Sequence, residues 1–117
     1  MATRIVWFEI GVQDTQEAKQ FYEKMFDTEL PPMEGFPDYH FFMSGDQQIG
    51  GLNRSKGKPF VTVYFAVDDV SDALKRAESL GGKVLVPESP LPNGETFGFV
   101  ADPEGNIIGL WGSKRRE

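Results

Sequence analysis

Two stretches of the chain alternate apolar and polar residues, and each is followed by apolar residues spaced three and four apart. From about Ile5 to Val12, the residues Phe8, Ile10 and Val12 alternate with Trp7, Glu9 and Gly11, the pattern of a strand with one apolar face. Asp14 then stands as an N-cap with Glu17 three residues on, and Ala18, Phe21, Tyr22 and Met25 follow the i, i+3, i+4, i+7 rule of an amphipathic helix. The same events recur from Phe60. Val63, Phe65 and Val67 alternate with Thr62, Tyr64 and Ala66, Asp69 opens a helix with Asp72 at the matching place, and Val70, Ala73, Leu74 and Ala77 form its apolar stripe, with Leu80 a turn further. Gly81 and Gly82 then stop it. The aliphatic strand faces are expected to lie under the helices.

The recurrence is a repeat. An offset of 55 positions places Val12, Asp14, Ala18, Glu23, Leu30 and Pro32 on Val67, Asp69, Ala73, Glu78, Leu85 and Pro87, and a period of that length describes one supersecondary unit made twice. After each helix comes a short extended piece ending in prolines, Glu29 to Pro32 and Lys83 to Pro87, which suits a sheet edge. Two further strands follow in each copy: Tyr39 to Met43 and Gln47 to Leu52 around a Ser44-Gly45-Asp46 turn, then Thr96 to Ala101 and Ile107 to Trp111 around Asp102-Pro103-Glu104-Gly105-Asn106. The prediction is an α+β fold of two tandem βαβββ units, residues 3–53 and 60–112, joined by Asn53 to Pro59.

Length and composition narrow the functional classes. At 117 residues the chain forms one domain whose two copies share a core. Hydrophobic residues at 39% and charged ones at 26% describe a globular chain, and no apolar run approaches the roughly 20 residues of a membrane span. The N-terminal segment runs straight into a strand pattern, so a cytoplasmic address is expected. With no cysteine and a single histidine, His40, thiolate sites are excluded and most imidazole chemistry with them. A net charge of −6 argues against a nucleic-acid surface. The basic clusters Arg54 to Lys58 and Lys114 to Arg116 read as a wetted connector and a tail.

The strand ending in V-x-D, the helix carrying FYEKMF and the closing FVADPEGNIIGLWG resemble the vicinal oxygen chelate superfamily, which includes glyoxalase I, bleomycin-resistance proteins and extradiol dioxygenases. The resemblance covers nearly the whole chain. It implies paired βαβββ units, a homodimer, and a cup-shaped site inside curved mixed sheets. It also implies a metal centre with ligands on the first and last strand of each unit, positions that match Trp7, Gly50, Thr62 and Gly109 here. None is a good ligand, because divalent ions of this group need converging imidazole or carboxylate donors. No metal and no cofactor are therefore expected.

Strand alternation places Trp7 with Glu9, Thr62 with Tyr64, Gly50 with Gln48 and Leu52, and Gly109 with Ile107 and Trp111. The expected ligand pocket is Trp7, Glu9, Gly50, Leu52, Thr62, Tyr64, Gly109 and Trp111: aromatic, with one carboxylate and with room left by two glycines. Such a site suits a small, partly flat ligand, neutral or, given the indole and phenol faces and Glu9, cationic. Each residue also has a structural reading. Trp7, Tyr64 and Trp111 fill a sheet interior or an interface; Glu9 is a general base, or is salt-bridged to Arg4 or a lysine, or is exposed; His40 is a hydrogen-bonded structural histidine or a catalytic one. Gly50, Gly51 and Gly109 leave room or allow strand curvature, and Pro31 to Asp38 is a candidate lid. Three functions remain open: a metal-free small-molecule-binding protein, resistance-like in sequestering its ligand; a glyoxalase-like lyase, isomerase or dioxygenase, metal-dependent or with Glu9 as base; and an interaction module with a closed cup.

Overall fold

Asp14 and Asp69 cap the two helices as their spacing predicts. In the computed structural model, which describes residues 4–113, both are extended at the cap, and their carboxylates accept from the amides of Glu17 and Asp72 at 3.0 and 3.1 Å. Such caps satisfy amides that the first helical turn leaves without partners.

The described chain forms two compact units, residues 7–62 and residues 63–113 with 4–6. The first is built from β1 (Arg4–Val12), α1 (Thr15–Phe26), β2 (Pro32–Met33), β3 (Phe36–Ser44) and β4 (Gln47–Arg54), with strands ordered β2-β3-β4-β1 and β1 parallel to β4. The second holds β5 (Phe60–Val67), α2 (Val70–Ser79), β6 (Lys83–Pro90), β7 (Thr96–Ala101) and β8 (Ile107–Gly112), ordered β5-β8-β7-β6 with β5 parallel to β8. Each is a βαβββ unit of an α+β fold. Pro32 lies in β2 and Pro87 and Pro90 in β6, strands that end their orders, where a missing N–H costs no ladder bond.

Register decides which side chains share a face. In the first unit Phe8 and Phe42 pair with Gly50, and Ile10 and His40 pair with Leu52, so this set faces α1. Tyr22 of α1 meets the Phe42 ring edge-on at 5.3 Å, and Phe8 lies 5.2 Å from Phe42. Leu30 and Leu52 are fully buried, each contributing on the order of 2 kcal/mol. Below α2, Val70 and Leu74 pack with Val100 and Leu110, and Phe65 and Val67 close the cluster. The aliphatic faces thus lie under the helices as expected.

Three expectations are corrected. The apolar stripe of α1 is only partly buried: Phe21 and Met25 are exposed, as is Phe26, and only Ala18 and Tyr22 of the stripe turn inward. The candidate lid from Pro31 to Asp38 is a hairpin, because Gly35 at φ 83° lets the chain reverse between β2 and β3. In the β3–β4 ladder Met43 pairs with Gln48 and Phe42 with Gly50, so Ile49 is an extra, bulged residue.

The connector from Arg54 to Lys58 is largely exposed and held by Ser55, whose hydroxyl donates to the Lys58 carbonyl at 2.7 Å. The basic cluster Lys114 to Arg116 lies outside the described residues. No helix among the described residues is long and apolar enough to cross a membrane.

The β7–β8 turn is closed by one side chain. The Asp102 carboxylate accepts from the amides of Glu104 and Asn106 and from the Asn106 side chain, each at 2.9 Å. The Asn106 side chain first, and then its amide, hold that carboxyl below the usual aspartate range. A depressed folded-state value means that its stabilisation is complete above the ordinary range and is lost as pH falls through the lowered value. Denaturant unfolding followed from about pH 5 to pH 2 therefore shows a steeper loss of stability in the native chain than in Asp102→Ala, which starts less stable.

Candidate functional site

The face of the first unit turned away from α1 carries a polar network inside an aromatic frame. Glu9 pairs with Gly51, Gly11 with Asn53, and Phe41 with Gly51, which sets Trp7, Glu9, Tyr39, Phe41, Gly51 and Asn53 on one side of three neighbouring strands. The Tyr39 hydroxyl donates to Glu9 Oε2 at 2.6 Å and Asn53 Nδ2 donates to Oε1 at 3.1 Å. Each carboxylate oxygen is thereby oriented by a neutral donor. Burial, and then the hydrogen bond and the negative charge of Glu9, push the Tyr39 phenol well above the ordinary tyrosine range, so it stays a donor.

Gly51 makes this arrangement possible. A Cβ there would come within 1.9 Å of the Tyr39 hydroxyl oxygen. At Gly11 a Cβ would meet the Phe60 ring at 2.0 Å, so that ring lies against the bare backbone of β1.

In the second unit the face away from α2 is aromatic. Tyr64 pairs with Gly109, Phe97 with Trp111 and Phe99 with Gly109. Tyr64 and Phe97 each meet Phe99 edge-on, at 5.4 and 5.9 Å. A Cβ on Gly109 would strike the Tyr64 ring at 2.4 Å. Tyr64, Gly109 and Trp111 thus share a face as the alternation predicts.

Two of the expected pocket residues belong elsewhere. Gly50 and Leu52 face α1, because β1 and β4 pair Phe8, not Trp7, with Gly50. A Cβ at Gly50 would lie 2.5 Å from the Phe8 ring, and Leu52 is core. Thr62 is buried within β5. Glu9 accepts from Tyr39 and Asn53. His40 is 5% exposed on the α1 side, and neither ring nitrogen has a hydrogen-bond partner among the described residues, so the hydrogen bonds expected of a structural histidine are not found there. Tyr39, Phe41, Gly51 and Asn53 were not foreseen. The strand alternation that places Glu9 opposite the helix would select Tyr39 and Phe41 once His40 is assigned to the core, and the β1–β4 register then adds Gly51 and Asn53.

A shallow depression of about 510 Å³ at the C-terminal end of α1, lined by Asp27, Thr28, Glu29, Pro31, Met43 and Gly45, shares no residue with the network. Its lining lacks aromatic rings and converging donors.

The family's metal positions do not fit a metal. Trp7 has one polar atom, an N–H that can only donate, the space beyond Gly50 and Gly109 is filled by the rings of Phe8 and Tyr64, and Thr62 offers a lone hydroxyl. No group of three or more His, Asp or Glu side chains comes together among the described residues.

Paired βαβββ units of this kind define the glyoxalase-like fold. A Mn(II)-bound glyoxalase from Novosphingobium aromaticivorans superposes with a TM-score of 0.65 at 20% identity, over 99% of this chain and 43% of that one. The chain belongs to the glyoxalase/bleomycin resistance protein/dioxygenase superfamily, whose model matches residues 4–110. It is 29% identical over 111 residues to CFP32 of Mycobacterium tuberculosis, whose name gives glyoxylase as its provisional assignment, and 26% identical over 124 residues to the anthracycline biosynthesis protein DnrV of Streptomyces peucetius. These alignments take in 91% and 90% of this chain but 42% and 45% of the relatives, so the chain spans less than half the length of either.

The steric argument at Gly51 is directly testable. Gly51→Ala should cost about 1–3 kcal/mol through overpacking, and Gly51→Ala combined with Tyr39→Phe should recover part of that loss, because the colliding oxygen is gone. Equilibrium unfolding of both variants checks the pair.

Proposed function

We propose that this chain is a metal-independent small-molecule-binding protein of the superfamily, cytoplasmic, acting as a homodimer and holding its ligand on the strand face that carries Glu9, possession of which by a sequestering, resistance-like protein would keep the ligand from its target. The observation that carries the reading is the Tyr39–Glu9–Asn53 network on the face that also holds Trp7. At the first of the family's metal positions the chain has an indole, and the carboxylate two residues on is committed to a phenol and an amide. A polar group fixed among rings is what a small-ligand site requires. The relatives named for anthracycline biosynthesis are in keeping with small-molecule work. Exposed Phe21, Met25 and Phe26 on α1 offer apolar area for a second copy.

A second reading makes the protein an enzyme of lyase, isomerase or dioxygenase type in which Glu9 is the base. It is favoured by the placement of Glu9 on the outward strand face, with its two oxygens held by Tyr39 and Asn53 as a fixed proton acceptor. Unchanged turnover in Glu9→Gln, on a substrate that the native chain converts, would sink that reading.

Elemental analysis and a thermal-shift screen test the first. The purified chain should hold Mn, Fe, Ni and Zn well below one equivalent, and loading with these ions should leave its melting temperature unchanged. At least one class of small molecule should raise it, by an amount equivalent to about 2.7 kcal/mol when present at 100 times its dissociation constant. Stoichiometric metal, or no response to any class, would contradict the reading.

A further inference from the structure

We propose that Asn93 is a self-modification site: the backbone nitrogen of Gly94 attacks the Asn93 carboxamide, expels ammonia and leaves a succinimide that water opens to aspartate or isoaspartate. This chemistry is independent of what the strand face of Glu9 binds. Asparagine is among the thermolabile residues, and the chain's asparagines are Asn53, Asn93 and Asn106. Their surroundings differ. Asn53 lies within β4, donates its side-chain amide to Glu9 and is followed by Arg54. Asn106 is held by Asp102 through both its backbone amide and its side chain, and is followed by β-branched Ile107. Asn93 alone precedes a glycine, whose nitrogen no side chain shields. Asn93 and Gly94 are both exposed, in the connection 91–95 between β6 and β7, and Gly94 stands at φ 88°.

Hydrogen bonds within the loop prepare the carboxamide. The Glu95 amide donates to Asn93 Oδ1 at 3.0 Å, which polarises the carbonyl and holds the oxyanion that forms on attack. The Asn93 side-chain amide donates to the Glu95 carboxylate, so one residue engages both ends of the group. The attacking nitrogen donates to the Leu91 carbonyl at 3.0 Å, and that bond must open first. It belongs to an exposed turn, where opening costs little. The step then needs only water and hydroxide. Hydroxide takes the Gly94 amide proton, the nitrogen bonds to the Asn93 Cγ, the Cγ–Nδ2 bond breaks, and the departing nitrogen gains a proton from water to leave as ammonia. Water added at one succinimide carbonyl restores the ordinary backbone; added at the other, it routes the backbone through the side chain. Either product ends the donation to Glu95 and sets a second carboxylate beside it, an irreversible mark of the chain's age on an exposed loop.

Peptide mapping by mass spectrometry tests this on the full chain, aged in mildly alkaline buffer at a temperature where near-ultraviolet circular dichroism stays native. The free peptide acetyl-Leu-Pro-Asn-Gly-Glu-amide, aged alongside, gives the rate without a fold. Asn93 should convert at least about tenfold faster than Asn53 or Asn106, and within about tenfold of the peptide, each factor of ten being about 1.4 kcal/mol of barrier. The product should contain isoaspartate as well as aspartate, since direct hydrolysis of the carboxamide gives aspartate alone. Asn93→Gln, whose side chain must close a larger ring, should lower conversion at this position by at least about tenfold. Conversion of Asn93 more than about tenfold slower than the peptide overturns the proposal. So does conversion of Asn53 or Asn106 at the rate of Asn93, aspartate without isoaspartate, or undiminished conversion in Asn93→Gln. Each of these outcomes leaves the small-molecule reading standing.

Discussion

The hydrogen bond from the Tyr39 hydroxyl to Glu9 constrains everything around it. A carboxylate set among aromatic side chains is costly unless its oxygens are satisfied, and this bond, with the one from Asn53, meets that cost. It demands that Tyr39 reach across β4, and β4 can be crossed there only because residue 51 has no side chain. The Trp7 ring stands on the same face, edge-on to Phe41 at 6.2 Å. Three strands are therefore locked into one arrangement by the needs of a single carboxylate.

The two units keep the same scaffold and spend their outward faces differently. Asp14 and Asp69 cap corresponding helices, and apolar strand residues pack below each. Where the first unit has Glu9, the second has Tyr64, which lies across the bare backbone of Gly109 as Tyr39 lies across Gly51. One aromatic ring over one strand glycine thus recurs in both units, and in the first the ring also bonds a carboxylate. The asymmetry is local chemistry on a duplicated frame, which is why the repeat describes the fold and says little about the site.

Much of the fold was legible because it rests on short-range rules. The N-caps, the helix stop at Gly81 and Gly82, the Asp102 turn and the edge prolines each follow from a few neighbouring residues. The site was legible only in part. Trp7, Glu9, Tyr64, Gly109 and Trp111 could be assigned to faces by alternation within their own strands. Gly50 and Leu52 were misplaced because a face shared between strands depends on register, and the register of β4 is set by pairing with distant Phe8 and by the bulge at Ile49. Tyr39 was hidden for a related reason: β3 begins at Phe36, three residues before the expected start, so a ring assigned to the strand's first position stands well inside it. The α1 stripe shows the limit of periodicity itself, for Phe21 and Met25 have helical spacing and yet face outward.

The account depends on a phenol that stays protonated because it is partly buried and bonded to a carboxylate. Carbon-13 labelling of the tyrosine rings, followed by NMR titration into alkaline solution, observes that phenol directly. Tyr39, assigned from the spectrum of Tyr39→Phe, should keep its protonated shift beyond the usual tyrosine range near pH 10, and in Glu9→Gln it should ionise at lower pH than in the native chain. A Tyr39 that titrates in the ordinary range, unmoved by Glu9→Gln, would contradict the account.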